Sequence, residues 1–284
     1  MKNWDFRHER VREVVKKRPA YAELLDFLVR VIETREKASS ELTTELPMQV
    51  DEKFQKKLEG GLPVLDRESL PLDKEALRRF LEPMLDLLEE RKRDEIKKIR
   101  SAIADDRIDP VIWVRAALSR AKAEAANNKD LLDEGLVAFL AHHAASALLG
   151  RYAQQYDSTL ASIVWEQGYC PICGGLPHMA DLRGPEGRRF LACGTCNRKW
   201  NFPRLTCPFC GNKEQERLGY FWAESEKEYR VDYCTACKKY LKTVDLRERE
   251  TPLDLEIEDA ATFHLDLLAQ KKGYQPPVSQ SGML

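Results

Sequence analysis

Four C-x-x-C pairs crowded into one half of the chain constrain its fold more than any other feature. They read CPIC, CGTC, CPFC and CTAC, at Cys170, Cys173, Cys193, Cys196, Cys207, Cys210, Cys234 and Cys237, and these are the whole cysteine content of 284 residues. The spacing is C-x2-C-x19-C-x2-C, then ten residues, then C-x2-C-x23-C-x2-C. A tetrahedral ion needs four thiolates at ~2.3 Å, and two C-x-x-C turns supply them. The array therefore reads as two four-cysteine metal sites, each able to hold together a β unit too small to have a core of its own.

Room for a continuous hairpin inside each interval favours sequential pairing. Cys170, Cys173, Cys193 and Cys196 then take one ion, and Cys207, Cys210, Cys234 and Cys237 a second. The rival is a cross-brace, with the first and third pairs on one ion. Gly174 and Gly211 follow the second cysteine of their knuckles and suit the turn that closes one. Asn197 and Lys238 occupy the same place in the other two; asparagine tolerates such a turn, lysine less readily. His178 is five residues past Cys173, but the cysteines already complete both sites, so it reads as a surface residue or a support for a ligand. Thiolate-only sites take zinc or iron, and the ligands do not separate the two.

The compartment bears on this reading. The start, MKNWDFRHERVREVV, has no apolar core ahead of a small-residue cleavage site, which predicts a cytoplasmic protein. In a reducing compartment the cysteines stay thiols, so metal is favoured over disulfides. A redox C-x-x-C of the thioredoxin kind stands singly in a βαβ context, which four regular copies lack.

Upstream the chain reads as helix. Leu24, Leu25, Leu28, Val31 and Ile32 stripe 19–36. Asp73 caps a long helix that contains Pro83, which marks either a kink or the true start. Asp109 and Pro110 open another over 109–125. The stretch from Asp130 to about Gln155 is apolar all round in its middle, as a central bundle helix would be. Its apolar run, 135–150, is 16 residues long and carries His142 and His143, short of the ~20 residues of a membrane span. Neighbouring helical residues point about 100° apart, so the two histidines do not share one ion easily and read as structural. The fold class is α+β: an N-terminal helical bundle followed by two small rubredoxin-like or zinc-ribbon β units. We divide the chain into a bundle over 1–165, four-cysteine units over 166–204 and 205–250, and a C-terminal helix and tail over 251–284.

Net charge −1 and mean hydropathy −0.52 exclude a whole-chain attraction to nucleic acid or an anionic membrane. Residues 165–245 carry 13 Lys or Arg against 10 Asp or Glu. Two divalent ions each held by four thiolates bring −2 apiece, so the loaded region sits near −1, no basic platform. Arg198, Lys199 and Arg204 beside Trp200 and Phe202 form a strip able to stack on bases or dock a protein; net charge favours the protein. No Gly-rich phosphate loop, Ser-His-Asp set, paired carboxylates or free nucleophilic cysteine appears, so a binding protein is favoured over an enzyme.

YCPICGGLP, LACGTCNRKWNFPRLTCPFCGN, YRVDYCTACKKYLKTVD and the closing EIEDAATFHLDLLAQKKGY together resemble the formate dehydrogenase accessory protein FdhE family. The specific marks are four pairs in order, Trp200 four past Cys196, Arg204 three before Cys207, and Tyr-Leu-Lys after the last pair; Lys238 and Lys239 depart from the pattern. The resemblance implies a cytoplasmic assembly factor that binds the catalytic subunit of a molybdenum- or tungsten-dependent formate dehydrogenase, with two metal ions, iron favoured over zinc. The alternatives are a zinc-ribbon regulator of nucleic acid and an iron protein with a redox step during maturation.

Overall fold

The computed structural model describes residues 5–42, 50–119, 133–160, 164–223, 226–248 and 253–277. The chain runs α1 (Asp5–Lys17), α2 (Ala22–Ala38), α3 (Glu52–Glu59), α4 (Lys74–Ala104), α5 (Pro110–Ser119), α6 (Glu134–Gln155) and α7 (Asp157–Leu160). Then follow β1 (Pro177–Arg183), β2 (Arg188–Cys193), β3 (Lys199–Asn201), β4 (Leu218–Phe221), β5 (Tyr229–Cys234), β6 (Tyr240–Asp245), α8 (Leu255–Ala261) and α9 (Phe263–Lys271). The fold is α+β, as the sequence predicts. The continuation of the fifth helix past Ser119 and the tail after 277 lie outside the described residues. No helix among the described residues is long and apolar enough to cross a membrane.

Contacts divide the described residues into two compact units, one within 30–49 and 65–158 and the other within 1–29, 50–64 and 159–279, the division falling inside α2. The first is helical. The Asp73 side chain accepts from the Ala76 amide at 2.7 Å and starts α4, and Asp109 accepts from Val111 at 2.9 Å ahead of α5. α4 passes through Pro83 without losing helical geometry. Its break is at Lys92 (φ −139, ψ 51), whose ammonium pairs with Asp133, the N-cap of α6. α6 buries Leu140, Ala144, Leu149 and Tyr152 completely, which makes it the bundle's central helix. His143 is buried edge-on against Phe139, with ring centroids 4.3 Å apart, the structural role its context suggests.

The second unit is built on one six-stranded sheet of order β3-β2-β1-β6-β5-β4. The two expected hairpins are β1–β2, turning at Gly184 and Gly187 with positive φ, and β4–β5. Each gains a third strand just after its second knuckle, β3 or β6. The two meanders then fuse through a parallel β1–β6 pairing, Met179 opposite Lys242 and Leu182 opposite Asp245. β2 and β5 run the same way and each ends on the third cysteine of its set. Both cysteine clusters therefore lie at the same end of the sheet.

Alternation gives the sheet two faces. One carries Met179, Tyr229, Val231, Tyr240 and Val244, and packs against Leu255, Leu265 and Ala269 of α8 and α9. α1 joins this assembly by packing Val14 with Leu25, Ala260 and Ala261. Its Arg10 Nε donates to fully buried Glu258 at 2.8 Å, and Arg7 meets Asp254 at 2.7 Å. Lys242, 3% exposed, reaches Asp266 and Asp259 beneath α9.

Candidate metal centres

The four knuckles repeat one backbone geometry. In each, the amide of the residue after the second cysteine bonds the first cysteine's carbonyl: Gly174 to Cys170 at 2.9 Å, Asn197 to Cys193 at 3.1 Å, Gly211 to Cys207 at 3.0 Å and Lys238 to Cys234 at 2.9 Å. All four closing residues have φ between 56 and 70°, the left-handed region, lysine included. The amide of each first cysteine bonds a carbonyl five residues on, for example Cys207 to Asn212 at 2.9 Å. The turn leaves inner amides free to point at sulfur, as Thr195 does toward Cys193 Sγ at 3.4 Å.

These knuckles meet in the sequential order, not as a cross-brace. Each four-sulfur set lies within 4.8 Å: Cys170, Cys173, Cys193 and Cys196 in one, Cys207, Cys210, Cys234 and Cys237 in the other. Four sulfurs at ~2.3 Å from a tetrahedral ion stand ~3.8 Å apart. Three sulfur pairs of the first set stand 3.5 to 3.6 Å apart, and two pairs of the second 3.7 and 3.8 Å. In geometry and donor chemistry each group can hold one metal ion.

The two groups differ in burial. All four cysteines of the first are buried, and 61–64 lies over its first knuckle: the Val64 amide bonds Pro171 O at 2.8 Å, and Tyr169 Oη donates to Gly61 O at 2.6 Å. In the second group Cys207 and Cys234 are buried, Cys237 is half-buried and Cys210 is exposed. Burial pushes the Cys170 thiol well up, and burial also raises Cys207 against the amides of Phe209 and Cys210. At Cys234 burial is outweighed by the Cys237 and Ala236 amides, and the thiol is lowered. A divalent cation reverses the cost of ionising such thiols.

His178 is half-buried, its Nδ1 3.1 Å from Ala192 O, outside both sulfur sets. The strip from Asn197 to Arg204 differs from its appearance in sequence. β3 turns Trp200 inward, and Trp200 and Phe202 are 5% and 2% exposed. Lys199 pairs with Asp181 at 2.8 Å, and Trp200 Nε1 donates to Gln167 O at 3.2 Å. The aromatic rings belong to the fold and offer no stacking surface.

Residues 169–204 match a family model described as FdhE, central domain, and 205–281 one described as FdhE, C-terminal domain. The chain is 27% identical over 278 residues to the Protein FdhE homolog of Aquifex aeolicus, covering 96% of this chain and 93% of that one. It is 25% identical over 296 residues to Protein FdhE of Shigella boydii serotype 18, covering 94% and 84%. It shares its fold with the crystal structure of the FdhE protein from Pseudomonas aeruginosa, with TM-score 0.67 and 22% identity over 95% of this chain and 91% of that one.

Proposed function

The chain belongs to the FdhE family, and on that premise we propose that it is a cytoplasmic assembly protein that binds the catalytic subunit of a molybdenum- or tungsten-dependent formate dehydrogenase and supports its maturation. The observation that carries the reading is the pair of four-sulfur groups set side by side on one sheet in the order of the family's two domains. Cys170, Cys173, Cys193 and Cys196 hold one ion, and Cys207, Cys210, Cys234 and Cys237 the other, with iron the proposed metal. When bound, each ion clamps two knuckles and, if iron, adds a one-electron couple that zinc lacks. The protein acts by holding its client and not by turning over a substrate. Burial of Trp200 and Phe202 weighs against the nucleic-acid reading.

Two measurements test this. Anaerobic purification without added metal, with elemental analysis and a visible spectrum, should give two irons per chain and thiolate-to-iron absorption; two zincs and no colour would overturn the choice of iron. Immobilised metal-loaded chain should retain purified formate dehydrogenase catalytic subunit. Failure to retain it with either metal would overturn the client.

A further inference from the structure

The sheet face turned away from α8 and α9 holds a cavity of about 280 Å³ between the 204–209 connection and the β4–β5 hairpin. Four cations line it: Arg189, Arg204, Arg230 and Lys239. Arg189 is 4% exposed, and its guanidinium donates to the carbonyls of Pro203 and Thr206, with no carboxylate at ion-pair distance among the described residues. Arg204 donates to the Glu186 carbonyl at 3.2 Å, and Lys239 lies over the Phe209 ring. The one lining carboxylate among the described residues, Asp232, is taken by Arg230 at 3.0 Å and by the Thr243 hydroxyl at 2.5 Å.

Electrostatics decides what fits. Among the described residues, three of the four cations stand without a carboxylate partner. Cys207 and Cys234 also line the cavity, so a divalent ion with four thiolates adds −2 beside it. Against four cations and Asp232 the sum stays positive, +1 loaded and +3 as thiols. The lining attracts an anion in either state.

The rim indicates what carries that anion. β4 is the last strand of the sheet, and no described strand lies beyond it, so it presents unpaired backbone donors and acceptors. Tyr220 on β4 and Trp222 just past it are 53% and 49% exposed, with ring centroids 5.5 Å apart, and Leu205 opposite is 60% exposed. An apolar rim, a cationic floor and an open strand edge are the parts that strand addition uses: main-chain bonds along the edge and a pocket for one side chain. We propose that β4 takes an extended peptide whose aspartate or glutamate, flanked by apolar residues, enters this cavity. On the reading above that peptide belongs to the client, but the site is defined without it.

The test uses the full metal-loaded chain and a random 12-residue display library. Selected peptides should be enriched in an acidic residue between apolar ones, and should protect β4 amides from hydrogen exchange. They should lose about tenfold or more in affinity to the Arg204→Ala/Lys239→Ala double variant, as a charge-assisted bond would. Both side chains lack carboxylate partners among the described residues, so thermal stability and metal content should be unchanged. No selection, selection without acidic enrichment, unprotected β4 amides or equal binding to the variant would each overturn the proposal. Retention of the client subunit, measured separately, leaves the family reading standing if this fails; loss of that retention with peptide binding intact does the reverse.

Discussion

Gly168 rests its bare Cα against the backbone of Pro208: a β-carbon built there would stand 1.7 Å from the Pro208 carbonyl oxygen. Only glycine lets the approach to the first knuckle lie this close to the second. The clash is with backbone, which no rotamer change relieves. Gly168→Ala should lower stability by about 1–3 kcal/mol, read as a urea midpoint shift on the metal-loaded chain. An unchanged midpoint would show that the two cysteine modules are not held together here.

The knuckle turns make opposite predictions for two residues in one conformation. Gly211 has φ +70 with nothing within 4 Å of an added β-carbon, so Gly211→Ala should cost only backbone strain, about 1 kcal/mol. Lys238 already bears that strain at φ 59, and Lys238→Gly should regain a similar ~1 kcal/mol. Thermal unfolding of both loaded variants checks the pair; destabilisation by Lys238→Gly would sink the argument.

Burial should make the two ions unequal. With Cys210 exposed and Cys170, Cys173, Cys193 and Cys196 all buried, a chelator should remove one equivalent in a fast phase and the other slowly. Cys210 should be the first cysteine that iodoacetamide alkylates once metal is withdrawn. Mass spectrometry of the alkylated chain reads the order, and labelling of Cys170 before Cys210 would contradict it.

Arg10 is the partner of a carboxylate that has no access to water. Glu258 is 0% exposed, with Arg10 Nε at 2.8 Å and the Tyr229 hydroxyl also on it. Arg10→Met leaves that charge buried and should cost about 3–5 kcal/mol, while Arg10→Met/Glu258→Leu should cost less than the single change. Urea titration of both distinguishes a buried pair from a dispensable one, since a negligible effect of Arg10→Met would mean the former is absent in solution.

Stability should fall on mild acidification. Burial, then the Arg18 guanidinium, holds His264 below its ordinary 6.5 against the opposing pull of Glu226. Its Nε2 meets Glu226 at 2.7 Å, while buried Nδ1 has no partner among the described residues to accept a second proton's bond. The folded state therefore binds fewer protons than the unfolded one just below 6.5. Stability present at neutral pH is lost as pH falls through 6.5 toward the folded value. Urea midpoints at pH 7 and 5.5 should differ, and His264→Gln should narrow the difference.

The parts legible in the sequence are those set by neighbours along the chain. The eight cysteines and their spacing specify two four-sulfur groups, because a C-x-x-C turn places both its sulfurs by local geometry. Gly174, Asn197 and Gly211 mark three of the left-handed closures, while Lys238, a residue that resists that conformation, gives no such mark; Asp73 and Asp109 mark helix starts through their own side-chain bonds. The hairpins follow from alternation around a turn.

What tertiary structure alone decided depends on residues far apart. The parallel pairing of β1 with β6 joins strands some sixty residues apart and has no turn to announce it. Burial of Trp200 and Phe202 follows from which side of β3 meets the rest of the sheet, so a strip that reads as an exposed basic-aromatic surface becomes core. The docking of α1 rests on Arg10 finding Glu258, 248 positions away. The same long-range closure gathers Arg189, Arg204, Arg230 and Lys239 around one cavity and leaves Cys210 in solvent while Cys170 is sealed. Sulfur chemistry is written locally in this chain; which sulfurs and which charges meet water is set by distant segments that cover or leave open each surface.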